Sequence, residues 1–88
     1  MVTRKEIEVK RPQGGYRTLI ENGKWGFVID TCYTLDHGNE SMVFACDCEG
    51  KNVDYSDLDC SIGFPDNKMK DEHDKMVNKW VKKMEDRR

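Results

Sequence analysis

Short stretches in which apolar and polar residues alternate fill the first half of the chain, and this period of two predicts β-strands. Residues that favour turns separate them: Pro12 and Gly14, then Asn22-Gly23, and then the polar segment 36–39. Because such short turns join neighbouring strands antiparallel, we predict an antiparallel sheet of three to four strands. The strands are placed at about residues 4–10, 16–21, 24–35 and 40–48.

The C-terminal part of the chain follows a helical period instead. With Asp66 as its N-cap, a helix is predicted over about residues 67–85. One face of it carries residues spaced three or four apart, namely Met69, His73, Met76, Val77, Trp80 and Met84. The fold class is therefore α+β, with one domain (1–88) in which a single C-terminal amphipathic helix packs on the sheet. The segment before the helix is expected to be irregular, with at most a short edge segment at residues 53–55.

Strand register determines which side chains face the helix. A two-residue turn at Asn22-Gly23 pairs Ile20 with Trp25 and Thr18 with Phe27. One face then holds Tyr16, Ile20, Trp25, Phe27, Ile29, Tyr33 and Leu35, and Cys32 lies on the opposite face. If the next turn holds four residues, Leu35 pairs with Glu40. The fourth strand then adds Met42, Phe44, Cys46 and Cys48 to the aromatic face.

Charge is distributed unevenly along this chain of 88 residues, whose net charge is −2 and of which 36% are hydrophobic. Both ends are rich in lysine and arginine, whereas acids prevail between positions 30 and 66, where Lys51 is the only such residue. A protein that binds nucleic acid directly presents a net basic face, so we do not expect that function. No apolar run is long enough to span a membrane and none resembles a signal peptide, so a cytoplasmic location is expected.

Four cysteines are the candidates for a metal site: Cys32, Cys46, Cys48 and Cys60. In a reducing cytosol they are expected to be thiols rather than disulfides. Paired zinc ligands usually lie two to four residues apart, whereas one residue separates Cys46 from Cys48, which on a strand leaves them about 7 Å apart and parallel. We therefore expect no cofactor, and a zinc site formed by Cys46, Cys48 and Cys60 stays the less favoured alternative.

Neither histidine has a nucleophile or carboxylate at a recognisable catalytic spacing. His73 belongs to the apolar face of the helix and is expected to be a packed, hydrogen-bonded core residue, whereas His37 lies in a turn. The acids at positions 54, 57 and 59 lack the glycine and the terminal glutamate of a calcium-binding loop. The chain is therefore not expected to be an enzyme, and the helix stripe is expected to be core rather than a groove for a partner.

Three segments between residues 40 and 80 follow one another in a characteristic order. Residues 40–44 form an apolar, aromatic strand, residues 54–58 read Asp-Tyr-Ser-Asp-Leu, and residues 73–77 read His-Asp-Lys-Met-Val on the helix. Together they resemble small accessory proteins of tailed bacteriophages, which have an aromatic strand, an acidic segment with Tyr or Trp, and a helix with Gly-His-x-x-Met-Val. Glu72 stands where that family has glycine, and the cysteines are not a family feature. The family has no settled activity, so no residue role transfers.

The resemblance implies a phage-encoded, non-catalytic protein that inhibits or modulates a host enzyme of bacterial defence by occupying its surface, like an anti-CRISPR protein. An acidic segment can imitate nucleic acid toward a basic groove of such a host protein. The expected partner-binding residues are Asp54, Tyr55, Asp57, Asp59 and Asp66. Two alternatives stay open: an oligomer that sequesters a small ligand such as a nucleotide signal, and a structural or regulatory phage protein. A homodimer through open sheet edges is compatible with each.

Overall fold

The computed structural model describes residues 1–86, which form one antiparallel sheet and a C-terminal helix. The strands lie across the sheet in sequence order, as β1 (Thr3–Ile7), β2 (Tyr16–Glu21), β3 (Gly26–Thr34), β4 (Gly38–Cys46) and β5 (Asp54–Ile62). A turn of 3₁₀ helix (Asp66–Lys68) leads into α1 (Met69–Asp86). The α+β class is confirmed, and the sheet has five strands rather than three to four. Within the described residues, no helix is long and apolar enough to cross a membrane.

Strand β5 is the element that the pattern of residues does not reveal. It is rich in aspartate and serine, which have low strand propensity, and its pairing with β4 decides its conformation. That pairing is irregular: Val43 lies opposite Asp59 and Ala45 opposite Asp54. Residues 55–58 of β5 therefore stand against Phe44 alone, and the edge strand bulges there.

The turn between β2 and β3 differs from the predicted two-residue turn. Glu21 pairs with Gly26, and the loop between them is closed by a hydrogen bond from the Asn22 amide to the Trp25 carbonyl. The Asn22 side chain accepts two further backbone bonds inside this loop. Ile20 consequently pairs with Phe27 instead of Trp25. A shift of two residues preserves the faces, so Ile20 and Phe27 still face the helix.

The register between β3 and β4 is shifted by three residues from the prediction, and an odd shift reverses the faces. Thr34 pairs with Gly38 and Ile29 with Val43, which places Val43 in the core. The prediction that Met42, Phe44, Cys46 and Cys48 join the aromatic face is therefore wrong, because the β4 residues of this set face away from the helix and Cys48 lies beyond the strand. Tyr33 and Leu35 are also exposed, not core.

The main core lies between the sheet and α1, as predicted. It consists of Ile20, Phe27, Ile29, Val43, Met76, Val77, Val81 and Met84. Trp80 packs against it, with its ring centroid 4.8 Å from that of Phe27. The predicted capping by Asp66 is wrong: Pro65 precedes the 3₁₀ turn, where the cap has no side-chain hydrogen bond, and α1 begins at Met69.

A second, smaller apolar layer lies on the outer face of the sheet, opposite α1. Leu19, Val28 and Phe44 are buried there because the β4–β5 connection folds over them. Gly50 of this connection has a φ of +80°, and a β-carbon at that position would lie 3.4 Å from the Leu19 side chain. The ring of Tyr55 packs edge-on to Phe44 at 5.4 Å. Both faces of the sheet are therefore covered in part.

Candidate functional site

Four residues of β5 are exposed, namely Asp54, Tyr55, Asp57 and Leu58, and we call them the β5 surface. Among the strands of residues 1–86, β5 pairs with β4 alone, so within this range its second edge has no neighbouring strand. Tyr55 is 77% exposed and Leu58 51% exposed. Within residues 1–86, neither Asp54 nor Asp57 has an ion-pair partner, although Asp54 accepts a bond from the Ser56 amide. Two acids without an ion-pair partner in residues 1–86 therefore alternate with two exposed anchors on one strand segment.

Asp59 lies on the same strand but points toward the helix. Its Oδ2 accepts hydrogen bonds from Lys79 Nζ at 2.7 Å and from Trp80 Nε1 at 2.9 Å. Burial alone would raise the pKa of Asp59, but these two donors outweigh burial and lower it. Asp59 therefore fastens β5 to α1, and the structure separates it from Asp54 and Asp57.

Asp66 is held by a different contact, beyond the end of β5. Asn39 donates from its Nδ2 to Asp66 Oδ1 at 2.7 Å and to the Phe64 carbonyl at 2.9 Å. These bonds tie the segment that precedes the helix to β4. Of the five acidic-segment residues expected from the sequence, Asp54, Tyr55 and Asp57 thus belong to the exposed β5 surface, and Asp59 and Asp66 do not.

The four cysteines are free thiols. Pairing of Met42 with Cys60 and of Gly26 with Cys46 places both cysteines on the outer face, where Cys32 also lies, so the prediction that Cys32 faces away from Cys46 is wrong. Burial, followed by the charge of Asp47, raises the pKa of Cys46 to about 11. No group of three or more His, Cys, Asp or Glu residues within positions 1–86 is placed to hold a metal ion.

His73 is confirmed as a packed, hydrogen-bonded core residue. Its Nε2 lies 2.8 Å from Thr18 Oγ1, and its Nδ1 lies 2.6 Å from Thr31 Oγ1. Thr31 Oγ1 is in turn 2.8 Å from Ser41 Oγ. Burial, and then the charge of Lys70, lowers the pKa of His73. The histidine therefore links α1 to three strands through the hydroxyl groups of Thr18, Thr31 and Ser41, which we call the buried hydroxyl row. The pattern of residues in the sequence did not identify this row.

A partly buried ion cluster on the outer face was also missed. Asp30 accepts from Arg11 at 2.7 Å through one oxygen and from Arg17 at 3.2 Å through the other. The three residues come from β2, β3 and the β1–β2 connection, so only the folded sheet brings them together. Arg17 and Asp30 lie at the polar end of a cleft of about 230 Å³ between Ile7 and the β4–β5 connection. The signal in the sequence was Asp30, a charged residue in the middle of an apolar strand.

Comparisons with protein-family models, with curated proteins and with solved structures find no match to this chain.

Proposed function

We propose that this chain is a non-catalytic binding protein that docks its β5 surface on a basic surface of a partner protein. One observation carries this proposal: an edge strand presents two exposed anchors, Tyr55 and Leu58, in alternation with Asp54 and Asp57, which have no ion-pair partner within residues 1–86. Aromatic anchors supply binding energy where they are desolvated, and uncompensated carboxylates steer the encounter with a cationic surface.

The contacts that hold β5 in place support recognition of a partner protein through the side chains of the β5 surface. The hydrogen bonds from Lys79 and Trp80 to Asp59 anchor the strand two residues after Asp57. The β5 surface is therefore ordered before it binds, and it loses less conformational entropy on binding. The bulge at residues 55–58 interrupts the ladder and disfavours edge-to-edge pairing of two sheets. Docking on a partner is therefore favoured over a homodimer through β5.

The partner that we propose is a host protein of bacterial defence that itself binds nucleic acid. The resemblance of residues 40–80 to phage accessory proteins supports this source, and the acidic character of the β5 surface supports a basic groove as the target. In this proposal the chain is a phage-encoded inhibitor or modulator, like an anti-CRISPR protein, acting in the host cytoplasm.

Quantitative affinity capture from bacterial lysate tests the proposal. The tagged chain should retain one dominant host protein, and the variant D54N/D57N should bind it about tenfold more weakly, since two steering charges are lost. This difference should shrink at high salt. The control E8Q/D36N removes two exposed charges elsewhere and should bind like the wild type. Equal weakening by both variants would contradict docking through β5. Absence of any captured protein, with a nucleotide co-purifying with the chain, would favour the ligand-sequestering alternative.

A further inference from the structure

The cleft on the outer face of the sheet shares only Tyr55 with the β5 surface. Its floor is formed by Val28 and Phe44, and its walls by Ile7 on one side and Val53 and Tyr55 on the other. Its volume is about 230 Å³. A cavity of about 150 Å³ holds one benzene molecule, and sites for drug-sized ligands begin at about 300 Å³. The cleft therefore has room for a single ring with one substituent.

The polar end of the cleft has an excess of positive charge. Both oxygens of Asp30 are already engaged, one by Arg11 and the other by Arg17, so two guanidinium groups face a single carboxylate. Arg17 forms the longer of the two bonds and is the one that lines the cleft. A guanidinium carries five N–H donors, and the bond to Asp30 uses one of those of Arg17. This end consequently carries a net positive charge and has more free donors than acceptors, which favours an anion over a cation.

We propose that the cleft binds a small aromatic anion, with its ring against Phe44 and Tyr55 and its carboxylate or phosphate group on Arg17. Guanidinium groups recognise such anions through paired, charge-assisted hydrogen bonds. Tyr55 is exposed and contacts Phe44 edge-on, so its ring can pack on a ligand ring without disturbing the sheet. The site is separate from the proposed docking of β5 on a partner protein, and Tyr55 is the residue that the two have in common.

Titration of the ¹⁵N-labelled chain with four matched probes, followed by NMR, tests the site. Benzoate and phenyl phosphate should shift the amide signals of Val28, Gly50 and Val53 in a saturable way, with a Kd of roughly 1 mM for ligands of this size. Benzyl alcohol should bind about tenfold more weakly, because it lacks the charge. Benzylamine should give no saturable shift. Because the chain is alone in this experiment, its outcome is independent of the docking proposal.

Two variants and a control complete the test. R17Q should weaken benzoate binding about tenfold, since a charge-assisted bond is lost, and Asp30 keeps its shorter bond to Arg11. K24Q, which removes the same charge from an exposed residue in the β2–β3 loop, should leave the Kd within about twofold. V53F narrows the cleft without touching the ion cluster and should also weaken binding. Absence of saturation by either anion up to about 20 mM, or equal effects of R17Q and K24Q, would overturn the proposal.

Discussion

Asp57 and Asp59 are two residues apart on β5 and chemically identical, yet the structure gives them opposite roles. Asp59 holds α1 through Lys79 and Trp80, and its side chain is 21% exposed, whereas Asp57 faces solvent. In D59A the partly buried indole N–H of Trp80 loses its acceptor, which costs about 1–3 kcal/mol. The ion pair with the half-exposed Lys79 adds at most about 1 kcal/mol. We therefore expect D59A to lower the free energy of unfolding by about 2 kcal/mol and Tm by about 10 °C.

The matched variant D57A should change the free energy of unfolding by less than about 0.5 kcal/mol, because it removes an exposed group without a partner. D59N should fall between the two, since an amide oxygen still accepts from Trp80 but no longer attracts Lys79. Urea unfolding followed by tryptophan fluorescence measures all three variants. If D59A and D57A proved equally stable within about 0.5 kcal/mol, the assignment of Asp59 to the fold rather than to the binding surface would be refuted.

The pH dependence of the free energy of unfolding tests the role of Asp59 independently. Its pKa is lowered in the folded state, so the unfolded chain binds more protons at acidic pH. The stabilisation is complete above the ordinary pKa of 3.8 and is lost as the pH falls through the lowered folded-state pKa. The difference in stability between wild type and D59N should therefore decrease below pH 3.8. A difference that stayed constant to lower pH would show that packing, not charge, accounts for it.

Three further predictions concern His73, its partner Thr31 and the cysteines. Because burial lowers the pKa of His73 below 6.5, the unfolded state takes up a proton at a higher pH than the folded state. The free energy of unfolding should therefore decrease as the pH falls below 6.5, by at most about 1.4 kcal/mol per pH unit. Urea titrations at pH 7, 6 and 5 should show this slope for the wild type and not for H73Q. T31V leaves His73 and Ser41 without their shared hydroxyl partner and should cost about 2 kcal/mol in the same assay, and a cost below about 0.5 kcal/mol would argue against the row. With a pKa of about 11, Cys46 is only ~0.1% thiolate at pH 8, so iodoacetamide should alkylate the exposed Cys60 first, as peptide mapping by mass spectrometry would show.

The spacing of apolar residues was sufficient to predict the helix, four of the five strands and the helix-facing side of β2 and β3, because an error of two residues in register leaves every side chain on its own face. The same period could not place β4, since its register depended on an assumed loop length and an odd error assigned Phe44 to the helix face, whereas it lies on the outer face. The residues of β5 show no apolar alternation, so the sequence does not predict a strand there. The orientation of the Asp59 side chain toward the helix can be inferred only once that segment is known to be a strand. The cluster of Asp30 with Arg11 and Arg17 depends on contacts between elements, which no local pattern contains.

The buried hydroxyl row explains why β4 adopts the register that it does. In the observed register Thr31 pairs with Ser41, and both lie on the helix face within reach of one another and of His73. In the predicted register Thr31 would lie opposite Phe44. His73 would then face an apolar residue at the position where it contacts the hydroxyl row in the observed register. Leaving buried polar groups unpaired costs about 1–3 kcal/mol each, which is comparable with the gain from burying an apolar side chain. In a thin core of this kind, the strand register therefore depends on polar pairing as much as on apolar burial. A histidine on the apolar face of a predicted helix is consequently a reason to search the strands for hydroxyl residues that could pair with it.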